Sequence, residues 1–313
     1  MRTRTALPVS ALAVVALLTG CTTASQDLGS GAGSGEDTAD SSAAPSAAAF
    51  DPAAIETDPE LAALVPAEVA EDGVLTVGAE LSYAPAEFVA ADGVTPVGFD
   101  VDIAAAIAAT LGLESQVEPS TFDAIIPAVG TKYEVGISGF TIDAERLEVA
   151  HMVSYFDAGS QLAVATGNPD GIDAANLCGV TVGVQTGTVQ QGALEEASAA
   201  CGADGAEPVE VLPYDSQADV TTNLAGGKVQ AMYADSPVTA YAVEQAGGSI
   251  ETLGEITDAA PYGVVVAQGD DALAEAVQAA LQQLMDDGTL TEILDGWGNA
   301  EGALATAELD PGV

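Results

Sequence analysis

Residues 136–146 read GISGFTIDAER and end on Arg146. The chain holds only five lysine and arginine residues against 48 acids, and two of the five, Arg2 and Arg4, lie in the first 20 residues. Loss of a leader there would leave Arg146 as the one arginine of the mature chain. Arginine offers a planar, permanently charged group with five hydrogen-bond donors. Because so acidic a sequence has kept this cation, we predict that Arg146 holds the carboxylate of a small ligand instead of lying on the surface.

Composition limits the class of protein. The 313 residues are 48% apolar, which is typical of a globular chain with one large domain or two ordinary ones. The formal net charge is −43 at pH 7. Such a body repels nucleic acid and anionic membrane surfaces, so neither is expected as a partner. The excess of acidic residues is interpreted as keeping the protein soluble, for example in a salty medium.

The amino terminus has the pattern of an export signal. Arg2 and Arg4 precede an apolar run over residues 7–18, which is too short to span a membrane comfortably. The tetrapeptide LTGC at residues 18–21 follows and resembles a bacterial lipobox, in which the cysteine is acylated. We therefore predict a signal peptide over residues 1–20, lipidation at Cys21, and anchoring of the exported protein to the outer face of the cytoplasmic membrane.

Residues 21–70 are predicted to form the anchored cysteine and a disordered stalk. Serine, alanine, glycine and aspartate dominate residues 22–49 without apolar periodicity, and such a composition cannot bury a core. A short helix is expected within residues 51–70, before the first strand.

Two further cysteines, Cys178 and Cys201, remain in the folded part. An even count in an exported chain favours a disulfide between them. A metal site is a weaker interpretation, because the spacing does not fit a zinc knuckle and His151 is the only histidine. His151 is interpreted as a structural residue near a strand end. No metal and no cofactor are predicted.

Residues 73–294 alternate between strand and helix patterns. An Asp100-capped helix is predicted up to Gly112, with Ile103, Ile107 and Leu111 on one face. Strands separated by helices indicate α/β layers with parallel sheets. The predicted strands cover residues 73–79, 134–138, 162–165, 180–184, 209–212, 229–233 and 263–267. Further helices are expected at 122–129, around Leu194, and at 217–224, 238–245, 273–285 and 290–294.

Eight segments, in order, resemble the family 3 extracellular solute-binding proteins, the amino-acid-type receptors of ABC importers. They read LTVGAELSYAPAEF, VGFDVDIAAAIAATLGL, TFDAIIPAV, YEVGISGFTIDAER, CGVTVGVQTGTV, GKVQAMYADSPVTAY, APYGVVV and LMDDGTLTEILDGWG. The resemblance implies a two-lobed, type II periplasmic-binding-protein-like α/β fold, with lobes joined by two hinge strands near residues 158–163 and 256–263. Lobe 1 would comprise residues 71–158 and the return with the carboxyl-terminal tail, 259–313, and lobe 2 residues 159–258.

The resemblance also implies how a ligand is held. Arg146 matches the arginine that binds the ligand's α-carboxylate, and Ser138, Gly139 and Thr141 match a turn that offers backbone N–H groups and a hydroxyl to the same group. Asp235, in the sequence YADSP, matches the acid that accepts from the α-ammonium. One positive and one negative charge would complement a zwitterion.

Other site positions are carried over in the same way. Thr188 and Val189 lie in QTGTV at a helix start, where free N–H groups favour an anion, and the family often has threonine at the position of Val189. Tyr83 and Phe122 match aromatics that enclose the ligand's side chain, although core packing is an alternative role for both. Glu80 would reach the side-chain end and suit a cationic or amide group.

The predicted function is capture of one small amino acid by lobe closure and delivery to a membrane permease. The protein is expected to be a monomer and not an enzyme. Three alternatives stay open at this point. They are a compatible solute such as ectoine as the ligand, an enzyme resembling the cyclohexadienyl dehydratases of the same fold, and a structural or adhesive lipoprotein.

Overall fold

The computed structural model describes residues 50–312. The strands are β1 (Val74–Ala79), β2 (Ser82–Tyr83), β3 (Glu87–Val89), β4 (Pro96–Val97), β5 (Glu114–Pro119), β6 (Val135–Gly136), β7 (Ala150–Ala165), β8 (Thr181–Gln185), β9 (Glu210–Tyr214), β10 (Ala231–Asp235) and β11 (Ile250–Ala267). The α-helices are α1 (Pro59–Ala62), α2 (Ala67–Ala70), α3 (Phe99–Thr110), α4 (Phe122–Ala128), α5 (Ala144–Leu147), α6 (Val189–Ala203), α7 (Gln217–Ala225), α8 (Ser236–Gln245), α9 (Asp271–Asp286) and α10 (Thr289–Gly296).

A mixed eight-stranded sheet in the order β5-β1-β6-β11-β7-β10-β8-β9 organises the chain. Parallel strands β5, β1 and β6 form one half, which we call the first lobe, and parallel strands β10, β8 and β9 form the other, the second lobe. The long strands β7 and β11 pair antiparallel through both halves. The architecture is therefore the predicted two-lobed α/β fold with two connecting strands.

The connecting strands change register where they pass from lobe to lobe. Pairing between β7 and β11 is irregular between Leu253 and Thr257 and again between Thr257 and Ala260. Asp258, in this stretch, has a φ of 52°. The predicted lobe limits, after residue 158 and after residue 258, fall inside β7 and β11.

Each half of the sheet is covered on both faces, because successive strand residues point to opposite sides. In the first lobe Met152 joins a cluster with Ile125, whereas its neighbour Val153 joins the cluster containing Ile103 and Leu281. In the second lobe Ala163 and Val164 divide in the same way between two smaller clusters. Each lobe therefore has a cluster on either face of the shared sheet, and the largest cluster also includes Ala234 and Val238 of the second lobe.

The carboxyl-terminal segment, residues 303–310, returns along the first-lobe part of β7. It forms bridges from Ala303 to Phe156 and from Leu309 to Val153, and the Ser154 N–H donates to the Glu308 carbonyl at 2.9 Å. His151 lies beside this segment. The segment thus covers the edge of β7 that β11 leaves open in this lobe.

For the amino-terminal half, one prediction holds in part and another is wrong. The short helix expected within residues 51–70 is present, as α1, α2 and a 3-10 turn at residues 52–54, and Ile55 and Leu61 pack against the first-lobe core, so a disordered stalk does not extend over these residues. Asp100 does not cap α3, which begins after Gly98 and has no side-chain cap. The signal peptide, Cys21 and the stalk over residues 22–49 lie outside the described residues.

Cys178 and Cys201 form the predicted disulfide, with their Cα atoms 5.6 Å apart. The bond ties the loop before β8 to the end of α6 within the second lobe. Between residues 50 and 312, no helix has both the length and the apolar character needed to cross a membrane.

Candidate functional site

The predicted site residues collect where the two lobes meet. Glu80 follows β1, Ser138 and Gly139 follow β6, and residues 186–188 connect β8 to α6. Asp235 ends β10 and precedes α8. Within each lobe the carboxyl ends of the parallel strands lie at the same end of the sheet, so loops that are distant in sequence meet there. Hydrogen bonds such as the one from Tyr83 to Asp235 then join the loops of the two lobes.

Arg146 joins the two lobes and is only 9% exposed. Its Nη1 donates to the Thr141 carbonyl at 2.6 Å, and its Nη2 donates to the carbonyl of Gly187, in the second lobe, at 3.2 Å. Burial lowers the pKa of Arg146, and the negative charges of Asp143 and Asp235 oppose that change. Both predicted charges are buried where the lobes meet, because Arg146 bonds to Gly187 of the second lobe and Asp235 bonds to Tyr83 of the first.

The guanidinium of Arg146 lies over two stacked rings. It is 5.5 Å from the ring centroid of Phe122 and 5.6 Å from that of Phe140, and the two rings stack at 4.6 Å. Both phenylalanines belong to a buried first-lobe cluster. Phe122 thus packs in this core and contacts the guanidinium of Arg146, and its role in enclosing a ligand side chain stays a prediction.

Asp235 is 4% exposed and is held from both lobes. Its Oδ2 accepts a hydrogen bond of 2.6 Å from the Tyr83 hydroxyl, and its Oδ1 accepts one of 2.8 Å from Gln190 Nε2. Burial raises the pKa of Asp235, while the hydrogen bond from Tyr83 and the charge of Arg146 act in the opposite direction. A cation in this cleft would find a carboxylate already oriented by two donors.

Ser138 and Gly139 direct their polar groups into the first lobe. The Ser138 hydroxyl donates to Glu87 Oε1 at 2.5 Å and accepts from the Glu80 N–H at 2.9 Å. The Gly139 N–H donates to Asp100 Oδ2 at 2.8 Å. These groups, predicted to face a ligand, instead bond to first-lobe groups behind the cleft.

The segment at the start of α6 brings the second lobe close to the first. Thr188 caps the helix: its hydroxyl accepts from the Gln191 N–H at 3.2 Å and donates to the Gln185 carbonyl at 2.8 Å. Val189 is the first residue of the helix. Gly187 has a φ of 80°, and a Cβ there would lie 2.9 Å from that of Asp123 in the first lobe. Only glycine permits this close approach.

A second polar cluster surrounds Glu80, which is 7% exposed. Glu80 accepts from Gln185 Nε2 at 3.0 Å and from the Ser82 hydroxyl at 2.8 Å. Ser82 in turn accepts from the Gln217 N–H of the second lobe at 3.0 Å. Burial raises the pKa of Glu80. Glu80 and Gln185 together offer acceptors on the side of the cleft formed by β1 and β8.

Sequence reasoning missed several members of the site. Gln190 donates to both Asp235 and Ser160, and Ser82 joins the lobes through Gln217. Gln190 could have been found from its place in the first turn of the helix after QTGTV, because that turn was predicted to face the cleft. Ser82 has no comparable signal.

The sequence model of the bacterial extracellular solute-binding proteins, family 3, matches residues 75–300. The chain belongs to this family. Among its family 3 relatives is the arginine-binding protein ArgT of Corynebacterium glutamicum, 40% identical over 252 residues that cover 80% of this chain and 82% of the relative.

Solved structures of amino-acid-binding proteins share this fold. An ancestral arginine-binding protein bound to arginine has a TM-score of 0.65 and 33% identity, covering 72% of this chain and 98% of that one. An ancestral amino-acid-binding protein described as a precursor of cyclohexadienyl dehydratase has a TM-score of 0.66 and 31% identity, covering 74% of this chain and 97% of that one.

Proposed function

We propose that this family 3 protein captures a basic α-amino acid, of the arginine class, between its lobes. One observation carries the proposal: Arg146 and Asp235 are buried in one cleft, and each is hydrogen-bonded to a residue of the opposite lobe. Arg146 would take the α-carboxylate through its two-pronged guanidinium, and Asp235 would take the α-ammonium. The same carboxylate would also be contacted by Thr141, Thr188 and the first N–H groups of α6, including that of Val189.

Lobe closure follows from this division of charges. A ligand stabilises a closed form only through contacts that the open form lacks. A zwitterion that touches Arg146 and Asp235 together can do so only while the lobes are shut. Its carboxylate would replace the Gly187 carbonyl as the partner of Arg146 Nη2.

The basic side chain is supported by the cluster around Glu80. A guanidinium or ammonium group would find the Glu80 carboxylate there, together with the Gln185 Oε1 atom, which is buried without a partner among residues 50–312. The net charge of −43 also attracts a cationic solute as it approaches. The names of the arginine-binding relatives agree with this chemistry.

We further propose that Cys21 carries a lipid anchor and that the closed protein delivers its amino acid to an ABC permease. The LTGC sequence at residues 18–21 supports the anchor. The family resemblance supports the permease as partner and a monomeric, non-enzymatic binding protein.

A thermal-shift screen of the purified protein tests the substrate class. A ligand present at 100 times its dissociation constant adds about 2.7 kcal/mol to the free energy of unfolding. We expect L-arginine and L-lysine to raise the melting temperature more than neutral or acidic amino acids. Stabilisation by ectoine alone would refute the amino-acid proposal, and turnover of prephenate would establish the enzyme alternative.

Glu80→Gln gives the screen a matched variant. The substitution keeps the shape of the side chain and removes its charge, so binding of L-arginine should weaken more than binding of L-glutamine. An equal loss of affinity for both ligands would show that Glu80 does not determine the preference for a basic side chain.

A further inference from the structure

Two acidic side chains, Glu87 of β3 and Asp100 of α3, are fully buried and accept hydrogen bonds from the adjacent residues Ser138 and Gly139. In the described part of the chain, neither has a lysine, arginine or histidine within ion-pair distance. Two ionised carboxylates in one buried site repel each other strongly, so such pairs keep a proton.

The hydrogen bonds identify which residue keeps the proton. Both oxygens of Asp100 accept: Oδ1 from the Tyr155 hydroxyl at 2.6 Å, and Oδ2 from the Gly139 N–H at 2.8 Å. Glu87 Oε1 accepts from Ser138, but Glu87 Oε2 is buried with no donor among residues 50–312. A buried carboxylate oxygen without a donor is costly. A proton on Oε2 removes that cost by turning the atom into a donor toward Asp100.

We propose that Glu87 is a neutral carboxylic acid that donates a hydrogen bond to Asp100, and that this proton holds the Ser138–Gly139 turn in the geometry required for ligand binding. Glu87 and Asp100 are then positioning residues. They touch the turn, and the turn leads to Thr141 and Arg146.

The electrostatic surroundings agree with this assignment. Burial, followed by the charge of Asp100, raises the pKa of Glu87 well above its ordinary value. Burial raises the pKa of Asp100 to about 6, against the hydrogen bonds from Tyr155, Gly139 and Glu87. The other titratable groups facing the pair are Glu80, Tyr83 and Tyr155, none of which supplies a positive charge.

Loss of the proton from Glu87 would disturb the ligand site through two sets of contacts. The first is the turn at Gly139, which packs tightly against Tyr83: Gly139 has a φ of 58°, and a Cβ there would lie 3.3 Å from the Tyr83 ring. The second is the small sheet, in which Glu87 is directly paired with Tyr83, the residue that bonds to Asp235. Repulsion between the two carboxylates would therefore disturb contacts to both predicted charges.

The test compares the pH dependence of L-arginine binding between the wild type and Glu87→Gln. Because its ligand is L-arginine, this test rests on the proposed function. Glu87→Gln keeps the hydrogen-bond pattern, because its Oε1 accepts from Ser138 and its Nε2 donates to Asp100 without a proton to lose. Calorimetric affinities are measured from about pH 6 to about pH 10, and wild-type binding should weaken by up to about tenfold for each pH unit above the pKa of Glu87. Glu87→Gln should lack this loss, while titration of arginine itself affects both proteins equally.

Asp102→Asn is the matched control. Asp102 lies on the same helix, burial raises its pKa to about 6 as well, and it accepts from Trp297 Nε1 at 2.8 Å instead of from the turn. Its pH profile should follow that of the wild type. Parallel profiles for wild type and Glu87→Gln would overturn the proposal.

A second measurement needs no ligand. Infrared spectra of the protein without added amino acid should show the band of a protonated carboxyl at neutral pH, and Glu87→Gln should lose it. If arginine fails to bind but this band behaves as expected, the proposed function is wrong and the protonated Glu87 stands. Absence of the band in the wild type refutes the shared proton whatever the protein binds.

Discussion

The hydroxyl of Tyr83, in the first lobe, donates a hydrogen bond of 2.6 Å to Asp235 Oδ2, in the second lobe. These residues are 152 positions apart in the sequence and are both buried. The bond leaves Asp235 Oδ1 to Gln190. Tyr83 thus links the two lobes by a hydrogen bond, in addition to lining the cleft.

Tyr83→Phe should weaken ligand binding by about 10- to 100-fold, because a hydrogen bond to a charged group contributes about 1.5–3 kcal/mol. The ring remains, so only the link between the lobes is lost. Titration calorimetry with L-arginine measures the effect. An unchanged dissociation constant would mean that a ligand displaces the Tyr83 hydroxyl from Asp235.

Arg146→Ala and Asp235→Asn should each abolish detectable binding. Losing one partner of a buried charge pair typically costs about 2–5 kcal/mol, which corresponds to about a 30- to 5,000-fold weaker affinity. The melting temperature without ligand should barely change. Lys228→Ala is the control, because this exposed cation lies 5.3 Å from the Tyr214 ring and should not affect binding. Normal affinity in either site variant would exclude that residue from the site.

Replacing Cys178 and Cys201 together by serine should lower the stability of the second lobe. Their sequence separation of 23 residues predicts a loss of about 3 kcal/mol in the chain-entropy model. The melting temperature should fall, and affinity measured well below it should stay the same. A reducing agent should reproduce the shift in the wild type and leave the double variant unaffected.

His151 should make the protein more stable at mildly acidic pH. Its Nδ1 lies 2.7 Å from Asp310 Oδ2 and its Nε2 lies 3.0 Å from Asp271 Oδ1, and the bond to Asp310 is the main cause of a raised pKa. A raised folded-state pKa gives stability that is complete below the unfolded value and is lost as pH rises through the folded value. His151→Gln should therefore melt below the wild type at about pH 5.5, with the difference disappearing toward about pH 9. A pH-independent difference would contradict this role.

Scarcity of cations was enough to find Arg146 from the sequence. In a chain with 48 acids, one internal arginine is informative, and the structure buries it where the lobes meet, bonded to Gly187 of the second lobe. Asp235 required its motif, because nothing in composition separates one acid from the others. Apolar runs, which reflect local burial, predicted the longer helices and the strands β1, β8, β9 and β10. The short strands β2, β3 and β4 and the partly exposed strand β5 were missed, because they lack such runs.

Long-range contacts explain what the sequence did not predict. Asp100 has the pattern of a cap, but its partners Gly139 and Tyr155 are 39 and 55 residues away, and they hold it inside the first lobe. Residue patterns predicted only residues 162–165 of β7 and 263–267 of β11 as strand, because the polar and glycine-containing residues at the crossing have no alternating pattern. The hinge strands near residues 158–163 and 256–263 were expected from the family resemblance alone. Their extended form comes from the pairing of the two strands.

The returning segment over residues 303–310 has a practical consequence for anyone who shortens this protein. A chain cut after Gly302 would leave the backbone groups of residues 152–154 without their present partners, and an unpaired strand edge readily recruits a strand from a second molecule. Self-association after trimming would then be an artefact of the missing tail.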